Sequence, residues 1–470
     1  MTRTATRSEH DLLGDMEVPV DVLWGVHTAR AVENFPITGR TIGAYPELVS
    51  ALAVVKQAAA RANADLGLLD AERASAIDRA AAEIRAGAHA DQFVVDVMQG
   101  GAGTSTNFNA NEVVCNRALE ILGRPRGDYA YLHPADHVNL GQSTNDVYPT
   151  ALRLAALTGC DRLDLALQGL IGAIAAKASE FDDVVKIGRT QLQDAVPMTL
   201  GQEFRGFAVT LGEERARLAD AAALLHEINM GATAIGTRLN APDGYVDAVR
   251  EHLGELTGRP LVTSFDLIEA TCDTGAFVNL SSVLKRLAVK LSKMCNDLRL
   301  LSSGPRAGLA EINLPAVQAG SSIMPGKVNP VIPEVVTQVC YAVIGNDVTV
   351  TMAAEAGQLQ LNAFEPVIAR CLFDGMAELT AACETLGARC IRGITANTEA
   401  LAAQVQTSIG LATALNPHIG YAAASSVAHE ALATGRGVAE IVLERGYLTD
   451  EALRGLLSPG RLANISTGKE

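Results

Sequence analysis

The chain has 470 residues and a formal net charge of −15, long enough for two or three domains with ample cores. With no basic run, it has the wrong charge for a nucleic-acid or anionic-membrane surface. Hydrophobic residues make up 48% but aromatic residues only 4%, and abundant Ala and Leu favour helices packed through small and straight-chain side chains over a sandwich or barrel, so the expected class is all-α.

The opening MTRTATRSEHDLLGD lacks the apolar core of a signal peptide, and no run of about 18 uncharged apolar residues follows, which predicts a soluble, cytoplasmic protein with no membrane partner. Residues 46–87 are Ala-rich with helical spacing and give way to the polar, Gly-rich QGGAGTSTNFNANE (99–112). There Gly101-x-Gly103 is followed by Thr106 where a dinucleotide fingerprint needs Gly or Ala, and no strand pattern precedes it, so a nucleotide loop is not expected. His133 and His137 share an H-x-x-x-H spacing, but Pro134 disfavours the helix such a pair needs, and a structural or peripheral anion-contacting role is expected instead of metal binding.

GQSTND (141–146) has turn composition, and beyond Pro149 the chain reads as long helical rods at 150–180, 201–229 and 333–386. The clearest rod places Leu280, Val283, Leu284, Leu287, Leu291, Met294, Leu298 and Leu301 at steps of three and four, one apolar stripe roughly 35 Å long. Several such rods predict an elongated bundle. Residues 335–351 are rich in Val and Thr and would be a strand on propensity alone; the bundle argument keeps them helical. From about Ala400 a small helical cap is expected, punctuated by Asn416-Pro417 and Ser458-Pro459-Gly460. The expected domains are 1–145, 146–399 and 400–470.

The eight cysteines (Cys115, Cys160, Cys272, Cys295, Cys340, Cys371, Cys383, Cys390) show neither a C-x-x-C pair nor a zinc spacing, which predicts reduced thiols buried as small hydrophobes. Four segments interrupt the helices with hydroxyls, amides and glycines: 99–112, 141–146, GRTQLQDAVPMTLGQE (188–203) and GSSIMPGKVNP (320–330). A site that binds carboxylates through neutral donors needs such clusters. Lys327 is the only ammonium in the last of them.

GSSIMPGKVNP resembles the signature loop of the aspartase/fumarase superfamily, and the other three segments resemble its remaining active-site regions in the same order, from about Asp11 to beyond Leu415. The resemblance implies three-domain, all-helical subunits that form a homotetramer by pooling their central helices, with active sites shared between subunits. It implies no cofactor and leaves activation by a divalent cation such as Mg2+ open. WGVHTARAVENFPITG (24–39), GRTQLQDAVPMTLGQEF, SSIMPGKVNPVIPE and GQLQLNAFEPVI (357–368) resemble the aspartase versions, although Trp24 departs from the usual tyrosine-containing form and leaves substrate breadth open.

Fumarases typically carry Ser where this chain has Ala102 and His where it has Gln191. An imidazole shuttles protons near neutrality and an amide does not, and ammonia, unlike water, needs no such activation. The expected reaction is reversible deamination of L-aspartate to fumarate and ammonia. The alternatives are a class II fumarate hydratase and a non-catalytic structural protein on the same scaffold.

The resemblance also implies roles. Ser321 would be the general base, acting as an alkoxide stabilised by Lys327 and backbone N–H groups once its loop closes, with Gly320 and Gly326 suited to a hinge. Thr104, Ser143, Thr144 and Ser322 would hold the carboxylate that takes up charge, Lys327 and Asn329 with Thr190 the other carboxylate, and Asn145 and Gln191 the amino group.

Overall fold

The computed structural model describes residues 5–458 and 461. Helices dominate, as composition predicts, and strands among the described residues are confined to four two-stranded sheets. The chain divides into two compact units: Met1–Asp164, Ala216–Arg286 and Ala342–Glu378 form one, and Leu165–Arg215, Leu287–Tyr341 and Leu379–Glu470 the other.

In the first unit the chain opens on an antiparallel hairpin, Thr6–Asp11 with Gly14–Pro19, where only helices were expected. The hairpin is tied down from afar, which no local pattern reveals: the Arg7 guanidinium donates to the carbonyls of Pro19, Val22 and Trp24 at 2.7–2.9 Å. The expected rod at 46–87 is two helices. Pro46–Asp65 starts on its proline, where the missing N–H costs nothing, and Ala71–Arg85 is capped by Asp70, which accepts from the Arg73 N–H. Fully buried alanines, among them Ala59, Ala62, Ala80 and Ala81, line these two helices and keep their side chains small where they pack.

The helix Thr144–Glu180 begins before Pro149, not after it. The proline lacks the N–H that would bond the Asn145 carbonyl, and the Asn229 side-chain amide donates to that carbonyl instead, at 3.0 Å. Two other expected rods are shorter. The helix Leu200–Ala223 ends ahead of Asn229, and residues 333–386 fall into Val331–Glu355 and Glu365–Arg389. The stripe on Gly275–Leu301 is buried as predicted except at Val283, which is half-buried.

The Val- and Thr-rich segment is helical. Thr337 and Thr351 turn their hydroxyls back to the carbonyls of Pro333 and Asp347, four residues earlier, so these β-formers leave no polar group unbonded. Val335, Tyr341, Val348 and Met352 on this helix are exposed.

In the second unit, Leu287, Leu291, Met294 and Leu298 are buried, as are Leu379 and Leu386. A separate cluster of Ile187, Leu411, Leu415, Val427, Ile441 and Leu453 gathers the small helices after Thr398, as expected for a helical cap. Pro417 does not interrupt this cap; it lies inside Gly410–Ile419, two residues from the end of the helix. Ser458-Pro459-Gly460 falls largely outside the described residues. All eight cysteines are free thiols, and all but the half-buried Cys272 are buried.

The most demanding packing in the first unit is at the start of the helix Val26–Asn34. Two carboxylates from elsewhere satisfy its first four N–H groups: Glu112 accepts from Gly25, His27 and Thr28 at 2.7–3.2 Å and from the Thr28 hydroxyl at 2.6 Å, and Glu9 accepts from Val26 at 2.9 Å. A helix N-terminus favours negative charge, but burial pushes the Glu112 carboxyl up to about 7 while its donors pull it down. Glu112→Gln keeps the volume and turns an NH2 against N–H donors. It is expected to cost about 2–3 kcal/mol of stability, measured as a lower urea midpoint at unchanged slope; an unchanged midpoint would contradict this.

Candidate active site

In the first unit two helix N-termini converge. The helix Thr104–Ile121 is entered through Gly101, Ala102 and Gly103, all with positive φ (+88°, +54° and +86°). Glycine tolerates such angles and alanine resists them, so Ala102, which is buried, marks a stored strain. Gln99 caps this end by accepting from the Thr106 N–H and hydroxyl at 3.1 and 2.9 Å. Thr104, the first helical residue, is half-buried and rests its hydroxyl on the Gly101 carbonyl at 2.7 Å.

GQSTND is not a solvated turn but the start of Thr144–Glu180. Ser143 and Asp146 form a reciprocal cap. The Ser143 N–H donates to the Asp146 carboxylate at 3.0 Å, and the Asn145 N–H donates to the Ser143 hydroxyl at 3.2 Å. Asp146 also accepts from the Thr233 N–H at 2.8 Å, and burial pushes it up to about 6 against these donors. The Asn145 side chain donates to the Ala234 carbonyl at 2.5 Å. Asn107, on the first helix, joins the two ends by donating to the Thr144 hydroxyl at 3.2 Å. The site thus collects Thr104, Ser143, Thr144 and Asn145 at two positive dipole ends, an arrangement that attracts an anion without fixed charge.

Behind them Lys56 is fully buried and donates to Asn107, Asn139 and Gln142 at 2.7–3.0 Å; burial pulls its ammonium down to about 7, opposed by Asp146. Lys56, Gln99, Asn107, Asp146 and the Thr233–Ala234 turn were not singled out from sequence. The available signals were a lone lysine in an apolar helix and three asparagines in NFNANE, where a helix has little use for them.

His133 and His137 take structural roles. Nδ1 of His133 accepts from Ala135 and Asp136 at 3.2 Å, and Nδ1 of His137 accepts from the His133 N–H at 2.8 Å. A single helical turn, Pro134–Val138, does form here, because Pro134 stands at its first position.

The second unit holds the remaining predicted residues in two places. The segment 188–203 is a hairpin, Val185–Thr190 with Gln193–Thr199, running into Leu200–Ala223. Thr190 pairs with Gln193, so Gln191 and Leu192 are the two turn residues, with φ of +55° and +64°. That is the twist a two-residue hairpin turn wants, built without the usual Asn-Gly. The root of the hairpin is held by ion pairs around the buried Lys186 and Glu311: Lys186 reaches Glu203 at 2.7 Å and Glu311 at 2.5 Å, and Arg189 also pairs with Glu311. The tip, from Thr190 to Gln193, is exposed.

The loop of Ser321, Ser322, Lys327 and Asn329 is closed at its neck. The Gly320 N–H donates to the Lys327 carbonyl at 2.8 Å, and the Asn329 amide donates to the Gly320 carbonyl at 2.7 Å. Gly320 is required for close approach, since a Cβ there would meet the Lys327 carbonyl at 2.5 Å; Gly326 is required for its φ of +78°. The Ser321 hydroxyl oxygen accepts from the N–H groups of Ile323 and Met324 at 3.2 and 3.1 Å. Lys327 is exposed and its ammonium has no hydrogen-bond or ion-pair partner among the described residues, so the hydrogen bonds that Ser321 accepts come from backbone donors.

A family model described as Lyase matches residues 14–345, and one described as Fumarase C C-terminus matches residues 411–464. The chain is 58% identical to an aspartate ammonia-lyase of Pseudomonas fluorescens over 454 residues, 96% of this chain and 95% of that one. The chain belongs to the aspartase/fumarase family of lyases. Another relative in the family, aspartate ammonia-lyase of Escherichia coli (strain K12), is 56% identical over 96% of this chain and 95% of its own. Two solved structures share the fold. A fumarate lyase:delta crystallin from Brucella melitensis bound to cobalt has a TM-score of 0.95 at 57% identity, covering 98% of this chain and 100% of its own. A recombinant class II fumarase from Schistosoma mansoni has a TM-score of 0.92 at 35% identity, covering 98% and 99%.

The junction of the two N-termini tolerates no extra atoms: a Cβ at Gly103 would overlap the Tyr148 ring, at a φ already unfavourable for other residues. Gly103→Ala is expected to lower turnover at least about tenfold and stability by about 1–3 kcal/mol, read by steady-state kinetics and thermal unfolding. Wild-type turnover would show that the junction does not shape the site.

Proposed function

We propose that the protein is an aspartate ammonia-lyase that interconverts L-aspartate with fumarate and ammonia, a carbon–nitrogen lyase. The observation that carries this reading is the nearly full-length identity of 54–58% to aspartate ammonia-lyases of several bacteria, against 35% for the class II fumarase. Gln191 at the hairpin turn supports the same choice, because its amide orients an amine and cannot activate water.

The difficult step removes a weakly acidic Cβ proton, which requires the adjacent carboxylate to accept the electron pair as an aci-dianion. Ser321, as alkoxide, takes that proton. Its oxygen already accepts two backbone N–H bonds, which supports a stabilised anion there. Thr104, Ser143, Thr144 and Ser322 donate to the dianion. Lys327, Asn329 and Thr190 hold the α-carboxylate, and Asn145 and Gln191 hold the amine. Collapse of the dianion forms the fumarate double bond and expels ammonia. No cofactor takes part, and a divalent cation such as Mg2+ acts at most as an activator. Eight free thiols suit a cytoplasmic location.

The functional assembly in this reading is a homotetramer. The exposed apolar residues of Val331–Glu355 support it by offering a face for other copies. Sites are shared: the helix N-termini near Thr104 and Ser143, the hairpin tip at Thr190 and the loop at Ser321 meet from three different subunits.

Supplying L-aspartate and L-malate separately and following fumarate by its ultraviolet absorbance tests the reaction: fumarate is expected from aspartate, and formation from malate alone would overturn it. The shared site is tested with Ser321→Ala and Thr190→Val, each expected to lose on the order of 10²-fold or more in turnover. Unfolded together and refolded as mixed tetramers, they should recover about a quarter of intact sites. Mixed tetramers as inactive as their parents would place both residues in one subunit.

A further inference from the structure

We propose that Lys56 is a positioning residue that fixes the direction in which Thr144 offers its hydroxyl proton, keeping that donor aimed at the substrate carboxylate. The inference rests on the role given to Thr144 above.

An ammonium has three donors and no acceptor. All three of Lys56 are used on side-chain amide oxygens: Asn107 Oδ1 at 2.7 Å, Asn139 Oδ1 at 3.0 Å and Gln142 Oε1 at 2.8 Å. Each amide is thereby turned carbonyl-inward, and its NH2 must point away. Asn139 donates to the Gln142 carbonyl at 3.1 Å and Gln142 to the Val138 carbonyl at 2.9 Å, which holds the segment entering Thr144–Glu180. Asn107 directs its NH2 to Asn139 Oδ1 and to the Thr144 hydroxyl oxygen, both at 3.2 Å.

The Thr144 oxygen therefore accepts from the protein. No acceptor among the described residues takes its proton, which is left for the half-exposed side where an anion would sit. With the Asn107 amide reversed, its carbonyl would draw that proton inward, and the anion would face lone pairs. A neutral side chain at position 56 would leave the amide orientation to weaker contacts. Lys56 is wholly buried with its donors on three amide oxygens; its charge acts through the Asn107 amide, so a neutral donor is pre-set for a charge that develops only in the transition state.

The decisive experiment is a double-mutant cycle on L-aspartate deamination. Asn107→Asp keeps size and the contact with Lys56 but replaces the NH2 with an oxygen that accepts the Thr144 proton. It is expected to lower kcat about 10²-fold while KM moves less than about threefold. Thr144→Val alone should lower kcat about 10²–10³-fold, yet less than about threefold further when added to Asn107→Asp, since the proton is already turned away. Lys56→Met, which keeps volume without charge, should lower kcat at least about tenfold; if it does not fold, the Asn107→Asp arm still decides. Multiplicative losses in the double variant, or wild-type kcat in folded Lys56→Met, would overturn the Lys56 inference alone. An undiminished kcat in Thr144→Val would overturn it together with the substrate-binding role of Thr144.

Discussion

In the proposed reaction the first unit answers one electrostatic demand: stabilising charge that gathers on a carboxylate that is already negative, without placing a permanent cation against it. Two helix N-termini meet that demand because their unsatisfied N–H groups form a fixed positive potential that costs no desolvated charge. The difficulty is bringing them together. Gly101, Ala102 and Gly103 accept left-handed backbone to let one helix start where it does, and Gly103 leaves room for Tyr148. The other helix starts five residues ahead of a proline, with Asn229 replacing the lost backbone donor. Asp146 and Lys56 are the buried charges of this arrangement. Each is turned away from the half-exposed hydroxyls and spends its bonding capacity on backbone N–H groups or amide oxygens.

In the second unit the same logic produces a different construction. The hairpin turn and the Ser321 loop have exposed tips and strongly held bases: an ion network of Lys186, Arg189, Glu203 and Glu311 under the hairpin, and the Gly320–Lys327 and Gly320–Asn329 bonds at the neck of the loop. Burying Lys186 and Glu311 is costly unless they are paired, and here they pair with each other and with the half-buried Glu203 and Arg189. A rigid base lets short segments carry strained backbone, as at Gln191 and Leu192, without the strain relaxing into the fold. Ser321 receives its two N–H bonds from within its own loop, so its environment travels with it.

Much of this was legible in the sequence. Composition gave the helical class because Ala and Leu report on how closely helices can pack, and the stripe from Leu280 to Leu301 was read correctly because periodicity is a local property of one helix. The four polar segments stood out because hydroxyls, amides and glycines are poor helix interior. Their order along the chain carried the family resemblance.

Tertiary structure decided the rest. The N-terminal hairpin and the start of Thr144–Glu180 ahead of Pro149 depend on partners outside the local pattern, such as Asn229 for the Asn145 carbonyl. GQSTND read alone is a turn; only with Asp146 bonded back to Ser143 and out to Thr233 does it become a helix start. Lys56 was invisible as a functional residue because a lysine in an apolar run announces only that it must find acceptors. Which acceptors it finds, and what their other ends then donate to, is fixed by three segments packing around one ammonium, and hydrogen-bond direction of that kind exists only in three dimensions.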